Sequence, residues 1–401
     1  MHNSVKLFLR PALAVAFGCL AVSGHAEDAK GIKIGFLSSL TGPVAAYAGM
    51  SSVEAIKMAI DDFGGTALGM PVEVIWGDHQ NKPDVGVTLA REWLDVGNVD
   101  VIVDSNNSAV ALGVNDLVRQ KNKIALWGAT ANALVGEGCS INTSQWVPDT
   151  HSIANGVMNV AFDQGSKKFF FISVDYIYGK EVQELSEAVI KRRGGEVVGS
   201  AKHPFTITDF SSFLVEAQAK GADTLALPTF GSFIVNAIKQ AHEFGLTMKI
   251  APYYFSQTDV EAIGMENLQN VFGVTPFYWD RNEKVREWSD RFAKRYGRPP
   301  SWADAQQYSA VTHYLKAVKA AGTKDAAEVG KKMRELPIED ASGTTGRIRE
   351  DGRVIRDLYA FRIKKPEESK GKWDHMEIVA TVKGDDINFP LSESKCALVK
   401  K

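Results

Sequence analysis

The chain has 401 residues, 45% of them hydrophobic, and its 46 lysines and arginines nearly balance 48 aspartates and glutamates. This length and apolar content suffice for two domains with sizeable cores. The formal charge of −2 and the lack of a basic tract with interleaved aromatic residues argue against a nucleic-acid partner.

The first 26 residues have the pattern of an export signal. Lys6 and Arg10 make a positive start, residues 11–22 are almost wholly apolar, and residues 24–26 place small side chains where a signal peptidase reads. A membrane anchor is the alternative, but about 20 apolar residues are normally needed to span a bilayer. We therefore expect cleavage of residues 1–26 and a periplasmic location.

The following chain alternates short apolar strands with amphipathic helices. The strands are predicted at Ile32–Leu37, Val72–Trp76, Val99–Val103 and Ile124–Trp127, with helices at 53–63, Asp84–Val96 and Ser108–Gln120. A capping box at 51–54 is predicted to begin the first helix, and Gly64-Gly65 to end it. Such a series implies a parallel sheet covered by helices on both faces.

The pattern restarts at residue 168. Strands are predicted at Lys168–Val174, Glu196–Gly199, Asp223–Leu227 and Lys249–Tyr253, with helices at Lys180–Arg193, Phe210–Lys220 and Phe233–Phe244. Three later helices, expected in the first lobe, are Glu283–Tyr296, Trp302–Ala321 and Ala326–Arg334; two late strands, expected in the second, are Leu358–Ile363 and Met376–Val382. The predicted fold class is α/β, with two Rossmann-like lobes.

Two cysteines, Cys139 and Cys396, remain once the export signal is removed. An exported protein meets an oxidising compartment, where disulfides form. A disulfide is favoured because Cys396 lies in a polar tail that would otherwise fray. Two unpaired cysteines are the alternative.

Motifs of catalytic and nucleotide sites are missing. The chain has no GxSxG, Walker A, GxGxxG or HExxH pattern, and its six histidines outside the export signal are dispersed. None of them forms a zinc-type pair with a cysteine. Asp61-Asp62, at the end of an amphipathic helix, is interpreted as a solvated helix end. We therefore expect no enzymatic activity, no metal and no cofactor.

Polar and aromatic residues collect at the ends of the predicted strands. In the first lobe they occupy 38–43, 104–108 and 128–130; in the second they occupy 175–179, 228–230 and 253–257. Ligands of open α/β sheets bind outside the carboxyl ends of the strands, so both sets are expected to face one cleft. Ser108 and Thr130, with free backbone amides where a helix begins, make an anion site. The alternatives are plain helix caps and ordinary packing.

Several motifs carry a resemblance to a known family: Leu40-Thr41-Gly42-Pro43 with Tyr47, Asn107-Ser108 before a helix, Gly128-Ala129-Thr130-Ala131 and Tyr176-Ile177-Tyr178-Gly179. Their order and spacing resemble the branched-chain amino acid (Leu/Ile/Val-type) periplasmic binding proteins. These are type I solute-binding proteins of ABC importers. The resemblance covers essentially the whole chain after the export signal.

The resemblance implies two lobes that close over a small-molecule ligand, after which the closed form docks on an ABC permease at the inner membrane. Three hinge crossings are expected near 146–152, 274–279 and 343–349. The first lobe is expected at 27–148 plus 277–346, and the second at 149–276 plus 347–401. We expect a monomer.

The resemblance also implies roles for individual residues. Ser108 and Thr130, with the Gly128-Ala129 backbone, would hold the ligand carboxylate, Tyr47 would flank the ligand side chain, and Tyr178 would close from the second lobe. The complete predicted set of ligand-binding residues is Tyr47, Asn107, Ser108, Gly128, Ala129, Thr130, Tyr178, Phe230, Tyr254 and Phe255.

One departure from the family pattern concerns the ligand's amino group. Amino-acid binders of this family carry an acid just after the strand predicted at Lys249–Tyr253, but the first acid here is Asp259. A buried ammonium without a carboxylate partner is costly. Either the ligand lacks an amino group, as in the aromatic-carboxylate-binding branch, or Asp175 or Asp259 supplies the charge.

The leading hypothesis is a periplasmic solute-binding protein for a hydrophobic amino acid or an aromatic acid. A periplasmic sensor that passes ligand occupancy to a signalling partner is the alternative, although a sensor usually carries a membrane segment or an extra domain. An exported enzyme on a doubly wound fold is the third possibility, and it would need a catalytic constellation.

Overall fold

The computed structural model describes residues 31–400, so the predicted export signal lies outside the described residues. The first part of the chain contains β1 (Ile32–Ser38), α1 (Ala45–Ala48), α2 (Met50–Asp62), β2 (Thr66–Ala67), β3 (Met70–Asp78), α3 (Pro83–Asp95), β4 (Val101–Asp104), α4 (Ser108–Gln120), β5 (Ile124–Trp127) and β6 (Thr143–Gln145). Its six strands form one sheet in the order β2-β3-β1-β4-β5-β6, parallel except for β2. This sheet and its helices are called the first lobe.

A second parallel sheet follows. The middle of the chain contains α5 (Thr150–Asp163), β7 (Lys168–Val174), α6 (Ile177–Arg192), β8 (Glu196–His203), α7 (Ser211–Ala219), β9 (Thr224–Leu227), α8 (Ser232–Glu243), β10 (Lys249–Pro252), α9 (Gln257–Ile263) and β11 (Phe272–Thr275). Four of the strands form a parallel sheet in the order β10-β9-β7-β8. This sheet and its helices are called the second lobe.

The remaining elements divide between the two lobes. They are α10 (Glu283–Tyr296), α11 (Trp302–Ala321), α12 (Ala326–Glu335), β12 (Ile338–Glu339), β13 (Thr345–Ile348), β14 (Val354–Ile355), β15 (Leu358–Ile363), β16 (Met376–Val382) and α13 (Gly384–Ile387). Helices α10 and α11 pack on α2 of the first lobe, whereas β15 pairs antiparallel with β11 and β16. These contacts are those expected if the late helices belong to the first lobe and the late strands to the second.

The third passage between the lobes lies later than expected. β12, β13 and β14 form a small antiparallel sheet, and a parallel bridge joins Arg353 beside β14 to Gln145 of β6. The chain thus stays beside the first lobe until about β14, instead of crossing near 343–349. Short strand pairing of this kind leaves little pattern in the sequence.

Local sequence explains most of the element boundaries. In α10, Val285, Trp288 and Phe292 are buried on one face, and the chain leaves the helix through Gly297 in the left-handed region (φ 88°). In α11, the side chain of Ser301 accepts from the backbone of Asp304 and the side chain of Asp304 accepts in return, which is a capping box. β1 is buried on both faces, as expected for a parallel strand between two helical layers.

The capping box predicted at 51–54 is wrong. Helix α2 begins at Met50, and its first residues make no side-chain cap. The Ser52 hydroxyl instead donates to Asp304 at 3.0 Å, and the Ser51 hydroxyl accepts from Arg298 at 2.9 Å. These tertiary hydrogen bonds to α11 and the loop before it override the local capping preference.

Asp61 and Asp62 lie exposed at the end of α2, as interpreted, and they also form tertiary contacts. Asp61 accepts from Arg295 at 2.7 Å, and Asp62 pairs with Arg291 and accepts from the Tyr308 hydroxyl at 2.6 Å. The two carboxylates therefore tie the end of α2 to α10 and α11.

A disulfide joins Cys139 to Cys396, with their Cα atoms 5.5 Å apart, which confirms the favoured prediction. It fastens the C-terminal tail to the loop between β5 and β6. Within residues 31–400 no helix has the length and apolar character needed to cross a membrane. The same part of the chain assembles no group of three or more His, Cys, Asp or Glu side chains suited to a metal ion.

Candidate functional site

A cleft lies between the two lobes, at the carboxyl ends of their parallel strands. Its space, open mouth included, is about 630 Å³. The first lobe contributes Tyr47 and four predicted polar positions, namely Asn107, Ser108, Gly128 and Thr130. The second lobe contributes the aromatic residues Tyr178, Phe230 and Tyr254. Eight of the ten predicted residues thus line one cavity.

The polar wall is built on the start of α4. The side chain of Asn107 caps this helix and accepts from the backbone amides of Ala109 and Val110 at 3.0 and 3.1 Å. Ser108 is the first residue of the helix, and both it and Thr130, which follows β5, are buried. The N-terminal end of a helix stabilises negative charge, so this wall suits an anion.

The aromatic wall is a chain of ring contacts that runs across the cleft. The Tyr178 ring centroid lies 5.8 Å from that of Tyr254 and 5.9 Å from that of Phe230. The Trp302 ring lies 5.2 Å from Tyr254 and 5.2 Å from Tyr47. Rings at such distances attract one another and present flat apolar faces. Such faces suit an apolar or aromatic group.

The Tyr178 hydroxyl is buried, and within the described part of the chain it has no hydrogen-bond partner. Leaving a buried polar group unpaired costs free energy, so such a group usually has a further partner. Burial raises the pKa of Tyr178 well above its usual value, with smaller contributions from neighbouring tyrosines. Tyr178 therefore offers a neutral hydroxyl to a ligand.

Three hydrogen bonds join the lobes at the mouth of the cleft. The Tyr176 hydroxyl donates to Asn107 Oδ1 at 2.9 Å and accepts from the Ala109 amide at 3.0 Å. The amide of Ser232 donates to the carbonyl of Pro43 at 3.1 Å. Tyr176 and Tyr178 lie two positions apart, and the sequence alone does not show that Tyr176 contacts α4 of the other lobe.

Residues 31–372 match the family model described as periplasmic binding protein. The chain belongs to this family. A crystal structure of a periplasmic binding protein from Burkholderia mallei is 41% identical, covers 93% of this chain and 100% of its own, and superposes with a TM-score of 0.89. A second crystal structure is of a branched chain amino acid ABC transporter periplasmic ligand-binding protein from Burkholderia xenovorans LB400. It is 37% identical, covers 92% of this chain and 100% of its own, and has a TM-score of 0.83.

More distant relatives agree with this assignment. Leu/Ile/Val-binding protein homolog 7 of Brucella melitensis is 24% identical over 84% of this chain and 88% of its own. A solute binding protein of an ABC transporter from R. palustris, solved with benzoate, is 18% identical, covers 88% of this chain and 96% of its own, and has a TM-score of 0.80, a likeness of fold alone. The predicted type I, branched-chain amino acid family is confirmed.

Two predicted residues of this periplasmic binding protein lie away from the cleft. Phe255 stacks on Phe361, with ring centroids 6.1 Å apart, in the core of the second lobe. The chain bends at residues 253 and 254 after β10 ends, and Phe255 then points into the core while Tyr254 lines the cleft. The side chain of Ala129 packs in the core of the first lobe, and its carbonyl accepts from Gln145 Nε2 at 2.9 Å.

The acids considered for a ligand ammonium also lie away from the cleft. Asp175 is exposed on the surface and its carboxylate is 4.0 Å from the Lys202 ammonium. Asp259 accepts from the Ser256 amide at 2.8 Å and completes a capping box at the start of α9. Neither residue lines the cavity of this binding protein. The second lobe therefore offers no carboxylate to the ligand from these two positions.

An acid that the sequence did not single out, Asp104, does line the cleft. It ends β4 in the left-handed region (φ 81°), a conformation that is uncommon outside glycine and is often retained at functional sites. A Cβ atom on Gly128 would lie 1.9 Å from Asp104 Oδ1, so glycine is required there. Burial raises the pKa of Asp104 to about 7, against the lowering effect of hydrogen bonds from Ser38 and Gln307.

Proposed function

We propose that this protein is the periplasmic solute-binding component of an ABC importer. Its ligand is a small molecule with a carboxylate, either a hydrophobic amino acid or an aromatic acid. The observation that carries the proposal is the convergence of helix-start hydroxyls from one lobe and aromatic rings from the other on one cavity. Kinship with ligand-binding proteins of ABC transporters supports it, as does the export signal predicted at residues 1–26.

The carboxylate is held by neutral donors. The cleft wall contains no Lys, Arg or His side chain from residues 31–400. The Ser108 and Thr130 hydroxyls and the first turn of α4 then supply the hydrogen bonds and the positive end of the helix dipole. The ligand body lies against Tyr47, Tyr254 and Trp302, and Tyr178 hydrogen-bonds a polar atom of the ligand.

Ligand capture proceeds by closure of the cleft. A ligand between the lobes touches both walls, so it binds the closed form more tightly and shifts the population toward it. The contacts of Tyr176 with Asn107 and of Ser232 with Pro43 then hold the mouth shut. The closed monomer docks on the permease at the inner membrane and releases its ligand unchanged, without chemical turnover.

Replacing Ser108 with alanine tests the carboxylate site. A hydrogen bond to a charged group contributes about 1.5 to 3 kcal/mol, so we expect Ser108→Ala to weaken benzoate or L-leucine binding by about 10- to 100-fold. Titration calorimetry with both probes measures the change. The melting temperature without ligand should fall little, because Asn107, not Ser108, caps the helix.

The matched control is Ser211→Ala. Ser211 also begins a helix, α7, but does not line the cleft. This variant should bind the probes as the wild type does. If Ser108→Ala and Ser211→Ala bind equally well, Ser108 takes no part in the site.

A further inference from the structure

Asp104 is surrounded by uncharged groups. Ser38 of β1 and Gln307 of α11 hydrogen-bond its carboxyl, and Gly128 after β5 packs against it. No Lys, Arg or His within residues 31–400 forms an ion pair with it. The titratable group that faces it is Tyr47 of α1, whose pKa is raised by burial first and then by Asp259 and Asp104.

The hydrogen bonds around Asp104 suit a protonated carboxyl. Gln307 Nε2 donates to Oδ1 at 2.7 Å, and the Ser38 hydroxyl oxygen lies 2.5 Å from Oδ2 and 3.5 Å from the carbonyl of Ala48. A proton on Oδ2 can be donated to Ser38, whose own proton then goes to Ala48. Each proton in this series of hydrogen bonds then has an acceptor, and Asp104 carries no buried charge. The direction of the pKa shift agrees with this assignment.

The proposed carboxylate site adjoins Asp104. Gly128 packs directly on its Oδ1, and Thr130 follows two residues later on the same wall. Two carboxylates close together in a water-poor site repel one another, and one of them takes up a proton. A ligand carboxylate bound at Ser108 and Thr130 would therefore favour the neutral form of Asp104.

We propose that Asp104 is protonated in the ligand-bound protein and so selects carboxylates that carry no ammonium group beside the carboxylate. This inference rests on the proposed function and narrows its ligand class to aromatic and other amine-free acids. An α-ammonium in the cleft would need an ionised acid, since burying it unpaired is costly. Asp104 is the one acid on the wall formed by the described residues, and its protonated carboxyl carries no negative charge to pair with an ammonium.

Affinity should then depend on pH. The Asp104 carboxyl must hold a proton for an anionic ligand to bind. The affinity is therefore constant at low pH and falls as pH rises through about 7. If the ionised form does not bind, the dissociation constant rises about 30-fold between pH 6 and pH 8.5. An ammonium ligand paired with ionised Asp104 would show the opposite dependence.

Calorimetric titration of benzoate and L-leucine into the wild type and Asp104→Asn, at pH 6 and pH 8.5, tests the proposal. The asparagine amide reproduces the donor and acceptor of the protonated acid. We expect benzoate to weaken about 30-fold with rising pH in the wild type and to change less than about threefold in Asp104→Asn. Benzoate binding to the wild type that is independent of pH would overturn the proposal. So would L-leucine binding that strengthens with pH and is lost in Asp104→Asn.

A measurement without ligand separates this inference from the proposed function. The folded pKa of Asp104 is raised above its ordinary 3.8, so its stabilising contribution is complete below that pH and is lost as pH rises through about 7. The melting temperature of Asp104→Asn minus that of the wild type should therefore grow by at least about 2 °C between pH 5 and pH 8. A constant difference overturns the neutral Asp104. If neither probe binds while this difference grows, the proposed ligand class is what fails.

Discussion

Gly231→Ala is expected to weaken binding of a carboxylate ligand by about 100-fold while the protein stays folded. Gly231 belongs to the second lobe, just before α8, and has φ 55°. A Cβ atom there would lie 2.0 Å from the carbonyl oxygen of Pro43 in the first lobe. Both sides of this contact are backbone, so the clash is relieved only by moving the lobes apart. Calorimetric titration with benzoate and L-leucine measures the loss.

Gly245→Ala is the matched control for Gly231→Ala. Gly245 is also in the second lobe with a positive φ of 65°, but a Cβ atom there has no neighbour within 4 Å. Both variants place an alanine at positive φ, which is strained, and Gly231→Ala bears the greater strain because its ψ of −133° lies outside the left-handed helical region, so its melting temperature should fall further. Only Gly231→Ala should lose affinity. Equal affinities of the two variants would show that binding does not need this closed contact.

Arg353→Met is expected to reduce the free energy of unfolding by about 3 to 5 kcal/mol. Arg353 is buried, pairs with Asp149, donates to Asp351 at 2.7 Å and to Asn132 at 3.1 Å, and stacks on the Phe389 ring. Methionine preserves much of the packing but leaves the buried Asp149 carboxylate without its cation, whereas Asp351 keeps Arg349 at 2.7 Å. Urea unfolding of both proteins at pH 7 measures the difference.

The pKa of Asp149 gives the expected pH dependence of this effect. Burial alone would raise this pKa, but Arg353 and Ser152 outweigh burial and hold it below its ordinary 3.8. A lowered pKa means that the stabilisation is present at neutral pH and is lost as pH falls toward the folded value. The loss in free energy of unfolding caused by Arg353→Met should therefore become smaller at acid pH.

Arg347→Met is the control for Arg353→Met. Arg347 pairs with Asp385, but the two side chains are 55% and 68% exposed. Exposed pairs contribute about 0 to 1 kcal/mol, so this variant should unfold almost as the wild type does. Similar losses for Arg353→Met and Arg347→Met would show that burial does not strengthen the pairing of Arg353.

The fold was predictable because its main elements are strongly patterned. The strand Lys168–Val174 and the helices Ser108–Gln120 and Trp302–Ala321 lie where the apolar pattern and glycine stops placed them. Strand ends of parallel sheets share one edge, so eight of the ten predicted site residues meet in one cleft. Short strands such as β12 and β14 carry too little pattern to be predicted.

Tertiary contacts explain what the sequence could not show. Ser51 and Ser52 bond to distant partners instead of capping their helix. The direction in which Phe255 points follows from a bend at residues 253 and 254, where the sequence predicted the end of a strand. Asp104 stands in a polar run, and its importance follows from burial against Gln307, which is 203 residues away.

The missing acid after β10 changes what the cleft is expected to accept. Asp175 and Asp259, the two residues considered as substitutes, are turned away, and Asp104 sits among neutral partners. We expect an amine-free aromatic acid to satisfy this wall better than an amino acid does. The aromatic rings of Tyr47, Tyr254 and Trp302 suit the same ligand.

The measurement that tests the central claim most directly is a calorimetric comparison of each carboxylate with its amide. Benzoate is compared with benzamide, and L-leucine with L-leucinamide, at pH 6 on the wild-type protein. The amides keep the ligand body and remove the negative charge that Ser108, Thr130 and the start of α4 are proposed to hold. We expect at least one carboxylate, benzoate first, to bind about 100-fold more tightly than its amide. Equal binding of acid and amide, or no binding of either acid, would contradict a carboxylate site in this cleft.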